Sequence, residues 1–152
     1  MNAIEKAVSY LNIKPRTKAQ VEKYLREKNY EEDDIKQAIK ELEEYHYLDD
    51  LEYARMYFEL GFEKGRGTAR IRRELGEKGV DRETVDKAFE LLENVPEPYD
   101  VAFDIGRKTI ENFEIPEDYQ QKQKLQAKIV RKLATRGFSG DVAYKVAKEL
   151  VK

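Results

Sequence analysis

One short motif occurs three times in this chain, and its repetition constrains the fold more than any other feature. Each copy begins with an alanine, has a leucine six residues later, and ends in asparagine or glycine followed by a large apolar residue. The copies begin at Ala19, Ala69 and Ala127, so they are 50 residues apart (69 − 19) and 58 residues apart (127 − 69). This period is typical of an array of small modules that need their neighbours to bury an apolar face. Such an array favours the binding of a large partner over a single deep pocket.

Each copy of the motif predicts a helix, a tight turn and a second helix. Apolar residues four positions apart indicate one buried stripe on the first of these helices. The helix is expected to end where a left-handed residue is tolerated, and a new helix is expected to be capped two residues later. The three ends are Asn29, Gly79 and Gly137, and the three caps are Glu31, Asp81 and Ser139. Thr17 and Gln20 have the spacing of a capping box that opens the helix of the first copy.

With one further helix before each motif, the chain is predicted to be all-α, with three tandem three-helix modules forming an elongated, curved array. No alternating β-branched run predicts a strand. The modules are placed at residues 1–48, 49–95 and 96–152. Pro96 and Pro98 separate the last two modules and are predicted to form a hinge, because proline cannot continue a helix. Residues 112–121 enlarge the third module, either as a longer loop or as an extension of its second helix.

The composition argues against several classes of function. The chain has no cysteine, which excludes disulfides and thiolate chemistry. Its one histidine, His46, lies between two tyrosines and is interpreted as a partly buried linker residue rather than a base. No catalytic residue, metal site or cofactor is therefore predicted, and the protein is not expected to be an enzyme. Without an apolar run of about 18 residues or a signal-peptide core, it is expected to be cytoplasmic.

Charge is segregated along the chain, although the formal net charge is only −2. Residues 31–52 contain ten acidic and two basic side chains. Residues 64–73 contain five basic and no acidic side chains, and residues 122–136 contain six basic and no acidic ones. The two basic stretches are predicted to contact phosphate or acidic protein, and the acidic stretch is predicted to face a basic patch.

Basic residues also recur at equivalent positions of the second helix of each module. At 100° per residue, Arg66, Arg70 and Arg73 are expected to project away from the buried side. Their equivalents are Lys124, Lys128 and Arg131 in the third module, and Arg16, Gln20 and Lys23 in the first. An ordinary solvent-exposed face would have the same composition, and both interpretations stay open. The predicted partner-binding residues are Lys64, Arg66, Arg70, Arg73, Lys124, Lys128, Arg131, Lys132 and Arg136.

The second module carries a resemblance to a known family. Tyr47-Leu-Asp-Asp-Leu-Glu-Tyr-Ala54, followed by Gly65-Arg-Gly-Thr-Ala-Arg-Ile-Arg-Arg-Glu-Leu-Gly-Glu-Lys-Gly-Val80, resembles the RecX regulatory proteins of bacteria. Their pattern is a leucine-aspartate-aspartate-x-x-tyrosine-alanine helix that leads into a basic helix. The opening and closing segments are similar to the same family, so the resemblance covers nearly the whole chain. It assigns mainly structural roles to Leu48, Asp49, Asp50, Tyr53, Ala54, Gly67, Leu75 and Gly79.

The resemblance implies a modulator of the RecA recombinase. Such a protein binds the RecA–single-stranded DNA filament in its groove and inhibits ATP hydrolysis, strand exchange and coprotease activity, and so affects DNA repair, recombination and the SOS response. The expected partners are the RecA filament and the single-stranded DNA within it, with weak direct DNA binding left open. A monomer without membrane contact is expected. Two alternatives stay open: a helix-turn-helix-like DNA-binding protein and a generic α-solenoid scaffold.

Overall fold

The structure is a computed structural model that describes all 152 residues. It contains nine α-helices and no strand. In chain order the helices are α1 (Ala3–Ile13), α2 (Lys18–Glu27), α3 (Glu32–Glu44), α4 (Asp50–Glu63), α5 (Thr68–Glu77), α6 (Arg82–Glu90), α7 (Pro98–Thr109), α8 (Tyr119–Arg136) and α9 (Gly140–Leu150). The prediction of an all-α chain of three-helix modules is confirmed. None of these helices is both long enough and apolar enough to span a membrane.

The turns after α2, α5 and α8 have the predicted backbone. Asn29, Gly79 and Gly137 have φ angles of 67°, 88° and 95°, all in the left-handed region. The next helix of each module then begins after the predicted cap. The carboxylate of Asp81 accepts a hydrogen bond from the backbone N–H of Thr84 at 2.8 Å. Glu31 occupies the same position without a side-chain hydrogen bond of this kind.

The chain divides into two compact units. Unit 1 consists of Met1–Tyr57 and Glu74–Leu92, and unit 2 consists of Phe58–Arg73 and Glu93–Lys152. Helices α4 and α5 therefore contribute residues to both units. The module boundaries at 48/49 and 95/96 stay a prediction, as does the hinge. Pro98 is the first residue of α7, where its missing N–H costs no helical hydrogen bond.

The core of unit 1 is built from α1, α2 and α3. Val21, Leu25, Ile35 and Leu42 are almost completely inaccessible to solvent, and Leu48 joins the same cluster. At the edge of this core the rings of Tyr10 and Tyr24 stack with their centroids 3.8 Å apart. Apolar burial on this scale is the main force that holds such short helices together.

The core of unit 2 is built mainly from α7, α8 and α9. Its most deeply buried side chains include Ala102, Ile129, Leu133 and Val146. Both interpretations of residues 112–121 contribute to the structure. A loop precedes Asp118, which caps α8 by accepting a hydrogen bond from the backbone N–H of Gln121 at 3.0 Å. The helix that follows has 18 residues, whereas α2 and α5 have 10 residues each.

One close contact to a carbonyl oxygen occurs at equivalent positions of the repeated motif in the two units. In unit 1 the hydroxyl of Thr17 donates a hydrogen bond to the carbonyl oxygen of Lys78 at 2.6 Å. The next residue, Gly79, lies so close to Ala19 that a Cβ at position 79 would overlap the Cβ of Ala19. We call this contact, which Thr17 and Ala19 make with Lys78 and Gly79, the unit 1 joint. It packs the start of α2 against the turn after α5.

The unit 2 joint lies at the equivalent position but has a backbone N–H as its hydrogen-bond donor in place of a hydroxyl. The backbone N–H of Gly67 donates to the carbonyl oxygen of Arg136 at 2.6 Å. A Cβ at Gly137 would overlap the side chain of Arg70. Gly67 lies two residues before Ala69, as Thr17 lies two residues before Ala19, so the two joints occupy equivalent positions of the repeated motif. The unit 2 joint therefore consists of Gly67 and Arg70 against Arg136 and Gly137, and it packs the start of α5 against the turn after α8.

Candidate functional site

Four basic side chains follow one another along α8 at intervals of four residues. Each is turned by about 40° from the previous one (4 × 100° − 360°), so the four form a slowly drifting row. Each is also followed directly by a residue of the buried stripe, except at the end of the helix. Three of the four side chains are exposed and the last is half-buried. We call this set the α8 row; it consists of Lys124, Lys128, Lys132 and Arg136.

The α8 row ends in a cleft of about 560 Å³ within unit 2. Lys132 and Arg136 line one side of the cleft, and Lys64 lines it from the turn after α4. The guanidinium of Arg136 donates a hydrogen bond from Nη1 to the carbonyl oxygen of Lys64 at 3.4 Å. Lys108, in the last turn of α7, completes the set of basic side chains.

The charge of the cleft is positive. Its four cations face two carboxylates, Glu63 and Asp104. Asp104 is held by Arg107 at 2.8 Å and by Lys108 at 3.2 Å. Hydrogen bonds from these two side chains lower the pKa of Asp104 below its usual range, so this carboxylate is charged at neutral pH. The surplus of cations makes the cleft a suitable site for an anionic group of a partner.

The structure brings three of the nine predicted partner-binding residues, Lys64, Lys132 and Arg136, into this cleft. Lys124 and Lys128 are exposed along the α8 row, and the ammonium of Lys128 lies 5.4 Å from the ring centroid of Phe113. Arg73 and Arg131 are exposed outside the row and the cleft. Five of the nine predicted residues therefore lie in the cleft or on the α8 row, and two more, Arg73 and Arg131, are exposed elsewhere.

The predicted outward projection is wrong for Arg66, which precedes α5, and for Arg70, which lies in the first turn of α5. Arg66 and Arg70 are half-buried, because the start of α5 takes part in the unit 2 joint. Arg70 lies against Gly137, and its Nη1 donates to the carbonyl oxygen of Thr135 at 3.4 Å. Arg66 borders a narrow pocket beside Pro98. Both side chains pack within unit 2, and their contact with a partner stays a prediction.

The equivalent positions of the first module differ from the prediction in the same way. Gln20 is half-buried, and its side-chain oxygen accepts a hydrogen bond from the backbone N–H of Thr17 at 2.9 Å, which completes the predicted capping box. Arg16 lies over the ring of Tyr10, with its guanidinium carbon 4.1 Å from the ring centroid. Lys23 is exposed, as predicted.

Two further differences concern other residues. Lys108 was not among the predicted residues, although α7 ends in the basic pair Arg107–Lys108. Only the packing of α7 beside the turn after α4 could have identified it.

His46 was expected to be partly buried, but it is exposed and has a φ angle of 62°. No group of three or more histidine or carboxylate side chains is placed to hold a metal ion.

The residues of the leucine-aspartate-aspartate motif connect two helix starts. Leu48 is buried in the core of unit 1. Asp49 caps its own helix, α4, by accepting a hydrogen bond from the backbone N–H of Glu52 at 3.1 Å. Asp50 instead accepts from the backbone N–H of Lys18 at 2.9 Å and so caps α2. Each carboxylate satisfies a helix N–H group that has no partner within its own helix.

The environment of Asp50 changes its acidity. Burial raises the pKa of this carboxyl, while the hydrogen bond from the backbone of Lys18 lowers it and the charge of Glu43 raises it further; the net shift is upward. The cap on α2 is therefore made by a carboxylate that is partly removed from water.

The remaining motif residues have packing roles. Ala54 and Leu75 are fully buried, and Gly67 and Gly79 belong to the joints. Tyr53 is half-buried beside Tyr57, with ring centroids 6.1 Å apart. Burial raises the pKa of Tyr53 above its usual value.

The repeated helical modules define the chain as a helical-repeat protein, and unit 2 carries a basic cleft. Residues 3–42 match the first three-helix domain of RecX, and residues 49–88 match its second three-helix domain. The regulatory protein RecX of Vibrio parahaemolyticus is 32% identical over 141 residues, which cover 93% of this chain and 86% of that protein. The chain belongs to the RecX family.

Other relatives are longer than this chain. The regulatory protein RecX of Lactobacillus delbrueckii subsp. bulgaricus is 31% identical over 150 residues, which are 98% of this chain and 54% of that protein. The chain thus spans about half the length of that relative. The crystal structure of RecX from Lactobacillus salivarius is 26% identical and has a TM-score of 0.81, with 97% of this chain and 94% of that chain covered.

Proposed function

We propose that this protein is a regulator without enzymatic activity that binds the RecA–single-stranded DNA filament. In this proposal it inhibits ATP hydrolysis, strand exchange and coprotease activity of RecA, and so modulates DNA repair and recombination. The observation that carries the regulatory role is the similarity to RecX, which covers 97% of the chain in the comparison with the Lactobacillus salivarius structure.

The basic site of unit 2 supports an anionic partner. The α8 row and the cleft offer six different cations counted once each: Lys64, Lys108, Lys124, Lys128, Lys132 and Arg136. A filament of protein and DNA presents both phosphates and acidic side chains. Long-range attraction between such surfaces accelerates association and fixes orientation, and it weakens as salt is added.

A helix-turn-helix-like reader of duplex DNA is less consistent with the sequence of the helices that follow the tight turns. Helix α6 carries Arg82 and Lys87 together with three acids, Glu83, Asp86 and Glu90. An acidic helix of this kind is repelled by the phosphates that flank the major groove, and α6 has no asparagine or glutamine to contact base edges. This observation favours the filament over a duplex operator as the partner.

The proposal is tested by a charge reversal on the exposed part of the α8 row. The triple variant Lys124→Glu, Lys128→Glu and Lys132→Glu leaves Arg70 and the unit 2 joint unchanged. We expect it to raise the concentration needed to inhibit the single-stranded-DNA-dependent ATPase of RecA by about tenfold or more at low salt, and to reduce the salt dependence of inhibition.

A matched control changes the net charge equally at exposed lysines of unit 1: Lys14→Glu, Lys23→Glu and Lys40→Glu. This variant is expected to inhibit like the parent protein. If the α8-row variant inhibits as well as the parent, or if both variants lose the same amount of inhibition, the assignment of the α8 row is wrong.

A further inference from the structure

A second groove, of about 500 Å³, lies in unit 2 between the start of α8 and the end of α9. It shares no residue with the basic cleft. Its lining consists of two tyrosines, three lysines, two glutamines and a valine: Tyr119, Tyr144, Lys122, Lys148, Lys152, Gln123, Gln126 and Val151. Neither the sequence analysis nor the proposed function assigns a role to this groove.

The two tyrosines of the groove are unusually accessible for aromatic residues. Tyr119 is 71% exposed and Tyr144 is 56% exposed. The ammonium of Lys148 lies 5.1 Å from the ring centroid of Tyr144. A hydrogen bond with Tyr144, and a weaker effect of Tyr119, raise the pKa of Lys148. The ammonium of Lys148 therefore lies beside the ring of Tyr144.

The two glutamines of the groove are held by hydrogen bonds, and its three lysines give it a positive charge. The side-chain amide of Gln123 donates to the hydroxyl of Tyr119 at 2.9 Å, and that of Gln126 donates to the carbonyl oxygen of Val151 at 2.8 Å. No carboxylate lines the groove. Glu149 lies outside the lining, and one of its oxygens is 3.1 Å from the ammonium of Lys152.

We propose that this groove binds single-stranded nucleic acid, with Tyr119 and Tyr144 stacking on bases. Lys122, Lys148 and Lys152 contact the neighbouring phosphates. Exposed aromatic rings beside cations are the arrangement by which proteins bind single strands, since every base has a π face that can stack on a ring. A duplex hides those faces, and an acidic peptide has none, so the exposed rings favour a single strand over either of them.

The test uses the purified full chain without RecA. Fluorescence anisotropy with a labelled oligothymidylate at low salt is expected to show binding that is tighter than that of a duplex of equal length. Tyr119→Ala and Tyr144→Ala should each weaken this binding by about tenfold, and the double variant should weaken it by more than either single change. Both residues are exposed, and circular dichroism verifies that the variants are folded.

The matched control removes two exposed tyrosines of unit 1, Tyr45 and Tyr47, which are 72% and 58% exposed. Tyr45→Ala with Tyr47→Ala should leave oligothymidylate binding unchanged. The proposal is overturned if the parent does not bind the single strand at low salt, if it binds the duplex equally well, or if the two double variants behave alike.

A second measurement tests the lysines. Lys122→Gln, Lys148→Gln and Lys152→Gln together should reduce the slope of log K against log salt by about two, because each phosphate contact on a single strand contributes about 0.7. An unchanged slope would contradict the assignment of these lysines. Because RecA is absent from both measurements, their failure leaves the proposed regulation of RecA untouched, and the reverse also holds.

Discussion

Two glycines, Gly79 in unit 1 and Gly137 in unit 2, lie close against another helix. Each has a positive φ angle, and each lies where a Cβ would overlap the first turn of another helix. Asn29 has the same backbone conformation, with a φ angle of 67°, but it carries a Cβ. A joint of this design therefore cannot form at the turn after α2, and the residue type at this position distinguishes the turns that form joints from the turn that does not.

Gly79→Ala is expected to lower the free energy of unfolding by about 2–4 kcal/mol. The left-handed conformation costs an alanine about 1–2 kcal/mol, and the overlap with Ala19 adds a similar amount. Gly76→Ala is the matched control, because Gly76 is helical and has no atom within 4 Å of an added Cβ. It should be neutral or stabilising by up to about 1 kcal/mol. Urea unfolding measures both variants, and equal stabilities would contradict the joint.

Substitutions of Asp50 test how much its partly buried carboxylate stabilises the start of α2. Asp50→Ala removes the acceptor for the backbone N–H of Lys18 and should cost about 1 kcal/mol at neutral pH. Asp50→Asn keeps an acceptor oxygen and avoids the burial of a charge. It should therefore lie within about 0.5 kcal/mol of the parent protein, as measured by urea unfolding.

The raised pKa of Asp50 fixes the sign of its pH dependence. The folded carboxyl holds its proton up to a higher pH than the unfolded one, whose usual value is 3.8. The parent should lose stability relative to Asp50→Asn as pH rises from below that value through the raised pKa, and the difference should then stay constant. Unfolding of both proteins between about pH 3 and pH 7 measures it. An opposite trend would show that the carboxylate is stabilised in the fold.

Among the helices, the stability of each helix start depends on which group accepts hydrogen bonds from its free backbone N–H groups. Thr17 is fully buried and has two roles: its hydroxyl accepts from the backbone N–H of Gln20 at 3.2 Å and donates to the carbonyl oxygen of Lys78. Ser139 only accepts, from the backbone N–H of Val142 at 3.2 Å, and it is exposed. The hydroxyl of Thr17 therefore both caps α2 and contributes to the unit 1 joint, whereas the hydroxyl of Ser139 only caps α9.

Thr17→Val keeps the shape of the side chain and removes both hydrogen bonds. We expect it to cost about 2–4 kcal/mol, the sum of a lost cap and a buried carbonyl oxygen left without its partner. Ser139→Ala loses only a cap and should cost about 1 kcal/mol. Thermal unfolding of the two variants compares these costs. If Thr17→Val is no more destabilising than Ser139→Ala, the hydrogen bond to Lys78 does not stabilise the joint.

The helices and their turns could be predicted because they are encoded locally. The left-handed residue at 29, 79 or 137 and the cap two residues later lie within one short segment. Residues 112–121 were ambiguous because a loop and a longer helix agree equally well with a polar segment. The structure contains a loop before Asp118 and a lengthened α8 after it.

The cleft and the joints could not be predicted, because they bring together residues that are distant in the sequence. Arg136 contacts a carbonyl group 72 residues away, and Thr17 contacts one 61 residues away. A helical wheel therefore placed Arg66 and Arg70 on an exposed face, although the start of α5 is used for packing. Lys108 could not be predicted for the same reason, because it joins the cleft only through the packing of α7 beside residues that are distant in the sequence.

At the scale of the whole molecule, a net charge of −2 combines a basic site in unit 2 with an acidic stretch at residues 31–52. A protein of this kind is not a general coat for nucleic acid, since its total charge gives no overall attraction to phosphate. Its association with a charged filament is expected to depend on the local basic site and therefore on ionic strength.

Regulation of RecA is tested by titrating this protein into the single-stranded-DNA-dependent ATPase reaction of RecA. We expect strong inhibition at substoichiometric amounts, well below one copy per RecA monomer. Uninhibited ATP hydrolysis by a cognate RecA, in the presence of the folded protein at equimolar amounts or above, would contradict it.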